Sequence, residues 1–314
     1  MRTIRGLESY PPDAGPTAVA LGVFDGVHLG HRAILARAVE RGRQVGVTPV
    51  ACTFDPHPLE VLQPDQAPVP ISDLEERLSL IADTGIETTL VLAFTAELAA
   101  MAAEAFVKEV LLDRLQAREV VVGFNHRFGR GARGDPALLQ ALGERLGFQA
   151  HVVPPLTVEG VTVSSSGIRK ALQEGDVERA ARWLGHPYTL VGVVERGAGR
   201  GHGLGFPTAN VRPTRPPLVP TGVYAAQLLL GRGVAAPAVV NIGVRPTFGE
   251  SRLVVEAHVL DFSGDLYGQT VRLALLRRLR EERRFPDVDA LRRQIAADVA
   301  EARRQLGAAD FTSP

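Results

Sequence analysis

The 314-residue chain has little cysteine, no imbalance of charge and no long apolar run. Cys52 is the only cysteine, so no disulfide can form within the chain and nothing requires an oxidising compartment. Basic and acidic residues both number 35, which disfavours a protein that coats nucleic acid or binds membranes through a basic surface. Neither a signal-peptide core nor an uncharged apolar run of about 18 residues is found. We therefore expect a cytoplasmic protein that acts on small molecules, without a nucleic-acid or membrane partner; its oligomeric state stays open.

The first half alternates strand and helix patterns, and its apolar content is ample for a packed core. Hydrophobic residues make up 45% of the chain, and 314 residues exceed what one core usually organises. The alternation predicts an α/β domain with a doubly wound parallel sheet. Ser72 and Glu75 form a capping-box pattern, and Asp135 precedes Pro136 as a helix cap. Strands are predicted at 19–24, 48–54, 89–94, 119–123 and 149–153, and helices at 30–42, 72–84, 96–115 and 136–146.

The periodicity changes after a predicted helix at 177–184, which ends at Gly185. Short strands separated by turns then predict a mainly β domain, a small closed antiparallel barrel with a terminal helix. We place the boundary there, which gives domains 1–184 and 185–314. Barrel strands are predicted at 189–194, 222–230, 234–241, 253–260 and 270–276, with a hairpin turn at 231–233. Pro286 is predicted to open the terminal helix, whose buried face is predicted to carry Val288, Leu291, Ile295 and Val299.

The most informative segment is 21–31, which reads LGVFDGVHLGH. It leads from an apolar strand through a glycine-containing turn into a helix, where Gly26 and Gly30 allow close backbone approach. His28 and His31 are three residues apart at the helix start, so their side chains point the same way, toward amides that favour an anion. Paired histidines also bind metals, but no HExxH pattern accompanies them and the other six histidines lack ligand spacing. The segment predicts a site that handles phosphate groups.

Two more polar loops follow predicted strands of the first domain. Residues 54–58 follow the second strand, and Asn125 follows the strand that ends at Gly123. Because the carboxyl ends of parallel strands meet at one edge of a sheet, both loops are expected beside the histidines. By itself, the loop at 54–58 is equally compatible with a stiff turn.

An ordered series of motifs spans nearly the whole chain. It resembles the prokaryotic bifunctional riboflavin kinase/FMN adenylyltransferase family, whose first domain belongs to the HxGH nucleotidyltransferases. The resemblance implies that the barrel makes FMN from riboflavin and ATP, and that the first domain makes FAD from FMN and ATP with release of pyrophosphate. Both steps imply Mg²⁺. The motifs lie at 28–31, 53–58, 122–125, 163–165, 204–210, 241–248 and 255–256.

In the first domain, the resemblance implies that His28 and His31 are catalytic. The implied ATP-binding residues are Gly22, Phe24, Asn125, Ser164, Ser165 and Arg169, and the implied flavin-binding residues are Phe54, Pro56, His57 and Pro58. Three positions depart from the family pattern: His126 stands where a phenylalanine is usual, Ser166 replaces a threonine, and Gly167 has no side chain.

In the second domain, a glycine-rich segment at 197–205 runs into Pro207-Thr208-Ala209-Asn210. It lacks the ending of a Walker A loop, and Pro207 opposes the helix that a dinucleotide fingerprint requires. The resemblance to riboflavin kinases implies that Thr208 and Asn210 hold Mg²⁺ and that Glu256 accepts the proton of the riboflavin 5′-hydroxyl. Without the resemblance, Glu256 reads as an ordinary exposed strand carboxylate. The same resemblance implies ATP contacts from Gly199, Gly201 and Gly205, with His202 in place of a basic residue.

Two other functions are compatible with parts of the sequence. The first domain could adenylylate another phosphomonoester, such as a pantetheine phosphate or nicotinamide mononucleotide, although the kinase signature disfavours this. The departures at His126, Gly167 and His202 leave open a flavin-sensing or nucleic-acid-binding regulator with degenerate catalytic folds. The basic run 277–284 is predicted to be a solvated mixed-charge segment, because Glu281 and Glu282 interrupt it.

Overall fold

A computed structural model describes residues 1–196, 205–231, 234–247 and 250–307. The chain divides into two compact units, Met1–Ser165 and Ser166–Pro314. Two helices that precede the barrel thus group with the second unit, and the domain boundary at 184/185 stays a prediction. Within the described ranges, no helix is long and apolar enough to cross a membrane.

The first unit contains a six-stranded sheet in which every neighbouring pair is parallel. The order β1-β4-β3-β2-β5-β6 confirms the predicted sheet and adds β1, which the sequence analysis missed because only Ile4 in it is buried. A short antiparallel ribbon, β7 and β8, follows. The strands are β1 (Arg2–Arg5), β2 (Thr17–Leu21), β3 (Thr48–Asp55), β4 (Thr88–Ala93), β5 (Ala117–Gly123), β6 (Gln149–Val153), β7 (Thr157–Val158) and β8 (Val161–Thr162).

Helices cover both faces of this sheet. Successive strand residues point to opposite faces, so Ala20 packs with α1 and α3, whereas Val19 and Leu21 pack with a π-helix and α6. This two-sided burial explains the continuous apolar runs of the central strands. The helices are α1 (Leu29–Val45), α2 (Pro58–Leu62), α3 (Leu74–Ala82), α4 (Ala96–Ala100), α5 (Ala103–Ala105), the π-helix (Phe106–Arg114) that continues α5, and α6 (Pro136–Leu146).

Three local predictions for this unit were wrong. The single helix predicted at 96–115 is broken at Met101 and Ala102, whose ψ angles of 132° and 150° are extended. The predicted capping box of Ser72 is absent, because Asp73 caps α3 by accepting the Glu76 amide at 2.9 Å. The predicted strand 19–24 ends at Leu21.

The strand order reverses at the middle of the sheet. From β2 the chain proceeds to β3 and β4 on one side, and then to β5 and β6 on the other. In doubly wound sheets a ligand binds in the crevice beyond the carboxyl ends of the strands at such a reversal. The crevice here lies between the ends of β2 and β5.

The second unit is a closed six-stranded barrel with the order β10-β13-β12-β11-β14-β9, and every pair in it is antiparallel. The predicted barrel and terminal helix are confirmed. Gly185, with φ 79°, ends α8 as expected. The elements are α7 (Ser165–Gln173), α8 (Val177–Leu184), β9 (Tyr188–Glu195), β10 (Ala209–Pro213), β11 (Gly222–Leu230), β12 (Val234–Thr247), β13 (Glu250–Val259), β14 (Thr270–Arg280) and α9 (Val288–Gly307).

Several details of the barrel differ from the predictions. Strand β10 is not among the predicted strands, because the glycine-rich pattern before it is typical of a loop. Strand β14 extends to Arg280, so residues 277–280 are half-buried strand residues and the exposed part of the charged run is 281–284. The first turn of α9 is capped by Asp287, whose carboxylate accepts the Ala290 amide at 2.6 Å, and Val288 is exposed. The predicted hairpin turn at 231–233 lies partly outside the described residues.

Candidate active sites

A strained turn joins β2 to α1. Phe24 and Val27 have positive φ angles of 56° and 38°, and Gly26 between them has φ 74°. A left-handed conformation costs a residue with a side chain about 1–3 kcal/mol, and it is a particular outlier for a β-branched residue. The turn is also buried: Phe24 and Val27 are inaccessible and Asp25 is 4% exposed. Such strain persists where surrounding contacts over-determine the backbone, most often at functional sites.

Two stacked imidazoles, those of His28 and His31, follow this turn at the start of α1. His28 is the N-cap residue of this helix, and its Nδ1 accepts the His31 amide at 3.2 Å. An Nδ1 that accepts leaves the proton of a neutral ring on Nε2. The two ring centroids are 3.5 Å apart with planes inclined by 18°, and the Phe24 ring stands edge-on to His31 at 5.5 Å. The structure thus brings both predicted histidines together.

Two glycines in this segment are required by close ring packing. A Cβ on Gly30 would lie 3.1 Å from the His28 ring, and a Cβ on Gly22 would lie 2.9 Å from the Phe24 ring. Phe24 itself is fully buried, so its side chain supports His31 instead of lining an open surface. Gly30 in the HxGH motif therefore lets the imidazole lie across the first turn of the helix.

This arrangement can bind and stabilise an anion. The first-turn amides of α1 carry the positive end of the helix dipole, and the Nε2–H of His28 is a further donor. Both lie at the carboxyl end of β2, where the strand order reverses. The site combines donors and positive electrostatic potential, as a reaction at a phosphorus atom requires.

The loop after β5 presents an amide and an aromatic ring. Asn125, an expected ATP-binding residue, is exposed, and the neighbouring Phe124 is 45% exposed. The Phe124 amide donates to the carbonyl of Val153 at 3.0 Å, which holds the loop to the end of β6. No role is predicted for Phe124 from the sequence. An exposed aromatic side chain directly past a central strand can stack on a planar ligand, but its exposure is not visible in the sequence.

The loop after β3 has more local structure than the sequence pattern indicates. The Asp55–Pro56 peptide is cis. His57 caps α2, since its Nδ1 accepts the Leu59 amide at 3.1 Å, and Pro58 is the first helical residue. Phe54 is buried in the core, edge-on to Phe94 at 5.8 Å. The loop stands beside the end of β2, as predicted, but Phe54 packs inward.

The serine-rich segment lies where the two units divide. Ser164 and Ser165 end the first unit and are partly buried, and Ser165 also opens α7. Arg169 belongs to the second unit, one residue after the fully buried Ile168. The geometry of these residues is therefore described only within their own units.

The barrel aligns polar residues across neighbouring strands. Glu256 on β13 is directly opposite Asn210 on β10 and Asn241 on β12. Directly opposite residues share a face, with Cβ atoms about 4.5–5.5 Å apart, so the Glu256 carboxylate is flanked by two carboxamides. Glu195 on β9 is opposite Asn210 on its other side. No role is predicted for Asn241 from the sequence, because the register of β12 with β13 is a long-range property.

Glu256 lines a cavity of about 380 Å³ together with Thr208, Asn241 and His258. The apolar part of the lining includes Leu291 and Ile295 of α9 as well as Phe285, and charged side chains lie beside it: Arg280, Glu282, Arg283 and Asp298. A planar aromatic ligand with one polar end fits such a lining. The terminal helix therefore contributes one wall of the candidate site.

An arginine–carboxylate pair fixes this wall. Arg280 donates to both carboxylate oxygens of Asp298 at 3.0 Å through Nε, and at 2.8 Å through Nη2. Gln294 donates to the same carboxylate at 2.7 Å. The guanidinium groups of Arg280 and Arg283 lie 5.6 and 5.1 Å from the Phe285 ring centroid. These contacts link β14 to α9.

A second pocket of about 330 Å³ adjoins the first. Phe262, Leu266 and Tyr267 line it, and Thr208 lines both pockets. His258 holds the chain beside Thr208, because its Nδ1 lies 2.8 Å from the Pro207 carbonyl and its ring meets Phe206 edge-on at 5.5 Å. One hydroxyl group thus stands between two cavities, which suits transfer of a group from one ligand to another.

The proposed Mg²⁺ ligands supply oxygen donors of the appropriate kind. The Thr208 hydroxyl and the Asn210 carboxamide are hard oxygen ligands, and Mg²⁺ is commonly held by one or two protein oxygens with phosphates and water. In the described part of the chain, no group of three His, Cys, Asp or Glu side chains could hold a metal ion by itself. The residues therefore fit a cation that arrives with a phosphate ligand. Gly199, Gly201 and His202 lie outside the described residues, and Gly205 has φ 83°.

Comparison with known proteins decides the family. The family model described as FAD synthetase matches residues 11–167, and that described as riboflavin kinase matches 184–306. Bifunctional riboflavin kinase/FMN adenylyltransferases are similar along their whole length: that of Escherichia coli K12 is 38% identical over 98% of both chains, and that of Bacillus subtilis is 36% identical over 92% of both. The chain belongs to the bifunctional riboflavin kinase/FMN adenylyltransferase family.

A solved structure has the same fold along nearly the whole chain. It is described as a macrolide-efflux protein from Streptococcus pneumoniae, with a TM-score of 0.87, 29% identity, and coverage of 96% of this chain and 99% of that one. Family membership does not favour the regulator alternative, since both catalytic domains are present.

One departure from the family pattern preserves aromatic character. The His126 ring stacks on Phe128 with centroids 5.8 Å apart, and its buried Nε2 has no hydrogen-bond partner among the residues described. Burial lowers the pKa of His126 to about 4, so the ring is neutral at neutral pH. In this family member, His126 therefore packs as an uncharged ring in place of the usual phenylalanine.

The single cysteine has no catalytic character. Cys52 is fully buried in β3, and burial raises the pKa of its thiol to about 12. A buried thiol in apolar surroundings is inert, because the nucleophile is the thiolate. This agrees with the prediction that Cys52 is a buried strand residue.

Proposed function

We propose that the chain phosphorylates riboflavin to FMN at the barrel site and adenylylates FMN to FAD at the histidine site, using ATP in both reactions. The proposed functional division lies at 184/185. The observation that carries the proposal is that each unit has its own site, one built on stacked imidazoles and the other on a carboxylate between two carboxamides.

At the barrel site, Glu256 is the proposed general base. It accepts the proton of the riboflavin 5′-hydroxyl while that oxygen attacks the γ-phosphorus of ATP, and the bond from this phosphorus to the β-phosphate oxygen breaks to release ADP. Asn210 and Asn241 flank the carboxylate and orient it. The apolar wall from α9 supports the proposal, because it can hold the flavin ring while the ribityl chain extends toward Glu256.

Thr208 and Asn210 would hold Mg²⁺ with the phosphates of ATP. A bound Mg²⁺ would neutralise phosphate charge and polarise the transferred group. Thr208 lies at the junction of the two barrel pockets, so we assign the nucleotide to the pocket beside Tyr267 and the flavin to the pocket beside Phe285.

At the histidine site, a phosphate oxygen of FMN attacks the α-phosphorus of ATP, and the bond to the β-phosphate breaks to release pyrophosphate. No proton has to move, so positioning and charge stabilisation account for catalysis. The Nε2–H of His28, the His31 ring and the amides of α1 are the proposed contacts to the phosphates. Three residues are proposed to bind the ATP phosphates: Ser164, Ser165 and Arg169. Asn125 is proposed to bind another part of ATP, and residues 56–58 are proposed to bind the flavin of FMN.

The decisive experiment supplies the purified chain with ATP and either riboflavin or FMN, with and without Mg²⁺, and separates FMN, FAD and pyrophosphate by chromatography. We expect FMN to appear first, FAD and pyrophosphate to follow in equal amounts, and a chelator to abolish both reactions. Tight binding of flavin without turnover would contradict the proposal and favour a regulator. Conversion of FMN but not of riboflavin would contradict the barrel assignment alone.

A further inference from the structure

Two loops of the first unit bind each other reciprocally next to the histidine site. The Asp25 carboxylate accepts the amide of Ile71 at 2.9 and 3.0 Å and that of Ser72 at 3.1 Å. In return, the Ser72 hydroxyl oxygen accepts the amide of Gly26 at 3.0 Å. Asp25 and Ser72 are 4% and 5% exposed, so these hydrogen bonds are shielded from water. We call the Asp25–Ser72 pair the clasp.

A buried cation fixes the same turn from its other end. Arg77 of α3 donates to the Val23 carbonyl at 2.9 Å, and the Thr53 hydroxyl donates to that carbonyl at the same distance. Arg77 is 6% exposed, and its guanidinium also lies 3.5 Å from the Asp55 carboxylate in the loop after β3. Hydrogen bonds therefore hold the backbone on both sides of Phe24. Arg77, which forms one of them, also contacts Asp55 in the loop after β3.

These hydrogen bonds hold the strained turn between β2 and α1. The positive φ angles of Phe24 and Val27 lie within or directly after the anchored residues, and His28 follows at once. Without these hydrogen bonds, the turn would relax toward ordinary φ values and displace the His28 ring, whose Nδ1 caps α1 by accepting the His31 amide. Small displacements of positioned groups are costly in catalysis.

We propose that Asp25, Ser72 and Arg77 are positioning residues for FMN adenylylation, which hold the strained turn so that His28 and His31 form their stacked pair. The proposal rests on the proposed function of the histidine site. Ser72 and Asp25 act on the backbone, through which they set the position of the imidazoles.

The test compares two buried hydroxyl groups of the same unit. Ser72→Ala removes the acceptor of the Gly26 amide. Thr17→Val is the matched control, because the fully buried Thr17 donates to the Leu115 carbonyl at 2.6 Å at the opposite, amino end of β2. We expect Ser72→Ala to lower kcat for FMN adenylylation about ten- to a hundredfold, with KM for ATP and FMN changed less than about threefold. Thr17→Val should lower thermal stability without this loss of kcat.

Two additional readouts make the result unambiguous. Ser72→Thr, which keeps an acceptor oxygen, should recover most of the lost kcat, and riboflavin phosphorylation should be unaffected by any of these changes. In ¹⁵N-histidine NMR spectra, Ser72→Ala should shift the ring signals of His28 and His31, and Thr17→Val should not. This spectrum tests the clasp even if the wild-type chain forms no FAD, which would instead refute the proposed function. Unchanged histidine signals in Ser72→Ala, or an equal kcat loss in Thr17→Val, would overturn the proposal.

Discussion

The two sites of this chain are built in different ways. The histidine site lies on a turn and a helix start that are continuous in sequence, and its strain is offset by contacts from other loops. The barrel site is assembled from strands that are far apart in sequence but directly opposite in register. The first site depends on local backbone geometry, whereas the second depends on sheet pairing and on a helix placed against it.

This difference predicts how each site fails. A change of one small residue in the turn or helix start displaces a catalytic ring, because those atoms are in close contact. A substitution in the barrel removes one side chain of the site, whereas the other side chains keep their positions because they lie on other paired strands. The following predictions test this difference between the two units, in order of decreasing expected effect at neutral pH.

The largest effect is expected at the barrel carboxylate. Glu256→Gln should lower kcat for riboflavin phosphorylation about 10²- to 10⁴-fold, because it removes the proton acceptor while keeping the shape of the side chain. Conversion of supplied FMN to FAD should be unchanged. Glu195→Gln is the matched control, since Glu195 is on the other side of Asn210 and pairs with Arg212 at 2.5 Å. An equal loss in both variants would contradict the role of Glu256 as the base.

The next effect is expected from Gly30→Ala. The added Cβ, 3.1 Å from the His28 ring, should displace the imidazole and lower FMN adenylylation about ten- to a hundredfold. Alanine favours a helix over glycine by about 1 kcal/mol, so thermal stability should stay equal or rise. Steady-state kinetics and a thermal melt separate the two effects. Full adenylylation activity in this variant would show that the close contact of Gly30 with the ring is unimportant.

A smaller effect is expected where α9 meets the barrel. Asp298→Asn should lower the free energy of unfolding of the second unit by about 1.5–3 kcal/mol, because Arg280 then lacks its charged partner. Asp261→Asn removes a similar bidentate pair with Arg303, but this pair is solvent-exposed, so the loss of free energy of unfolding should be clearly smaller. Urea unfolding can be followed by fluorescence of the single tryptophan, Trp183, which belongs to the second unit. Equal losses would contradict the burial argument.

At neutral pH the smallest effect is expected from His126→Phe, because this substitution changes the pH dependence of stability only in acid. The pKa of His126 is about 4 in the folded protein and about 6.5 in the unfolded chain. Between these pH values the ring binds a proton in the unfolded chain but not in the folded protein. This residue's contribution to stability is therefore present above pH 6.5 and is lost as the pH falls toward 4. His126→Phe should reduce that loss, by up to about 3 kcal/mol at pH 4. Urea unfolding by circular dichroism at pH 7.5 and pH 5 measures the difference; parallel pH profiles would contradict it.

The local features of both units were largely predictable, and the long-range ones were not. The alternation of strands and helices is encoded in neighbouring residues, so the sheet was predicted correctly. The spacing of His28 and His31 predicts that both side chains point the same way, but it does not specify that their rings stack. The break at Met101 and the missing capping box at Ser72 depend on tertiary contacts that override local propensity. Asn241, Arg280 and Asp298 came together through register and helix packing, which no short sequence pattern specifies.

The position of Thr208 on the border of both barrel pockets has a thermodynamic consequence. A molecule in either pocket contacts the same residue, so the first ligand to bind restrains a side chain that the second ligand also meets. The affinities for nucleotide and for flavin should then rise together, and each should measure higher in the presence of the other. We therefore expect nucleotide and flavin to bind in either order, each increasing the affinity for the other through one shared side chain and without a change in the shape of the barrel.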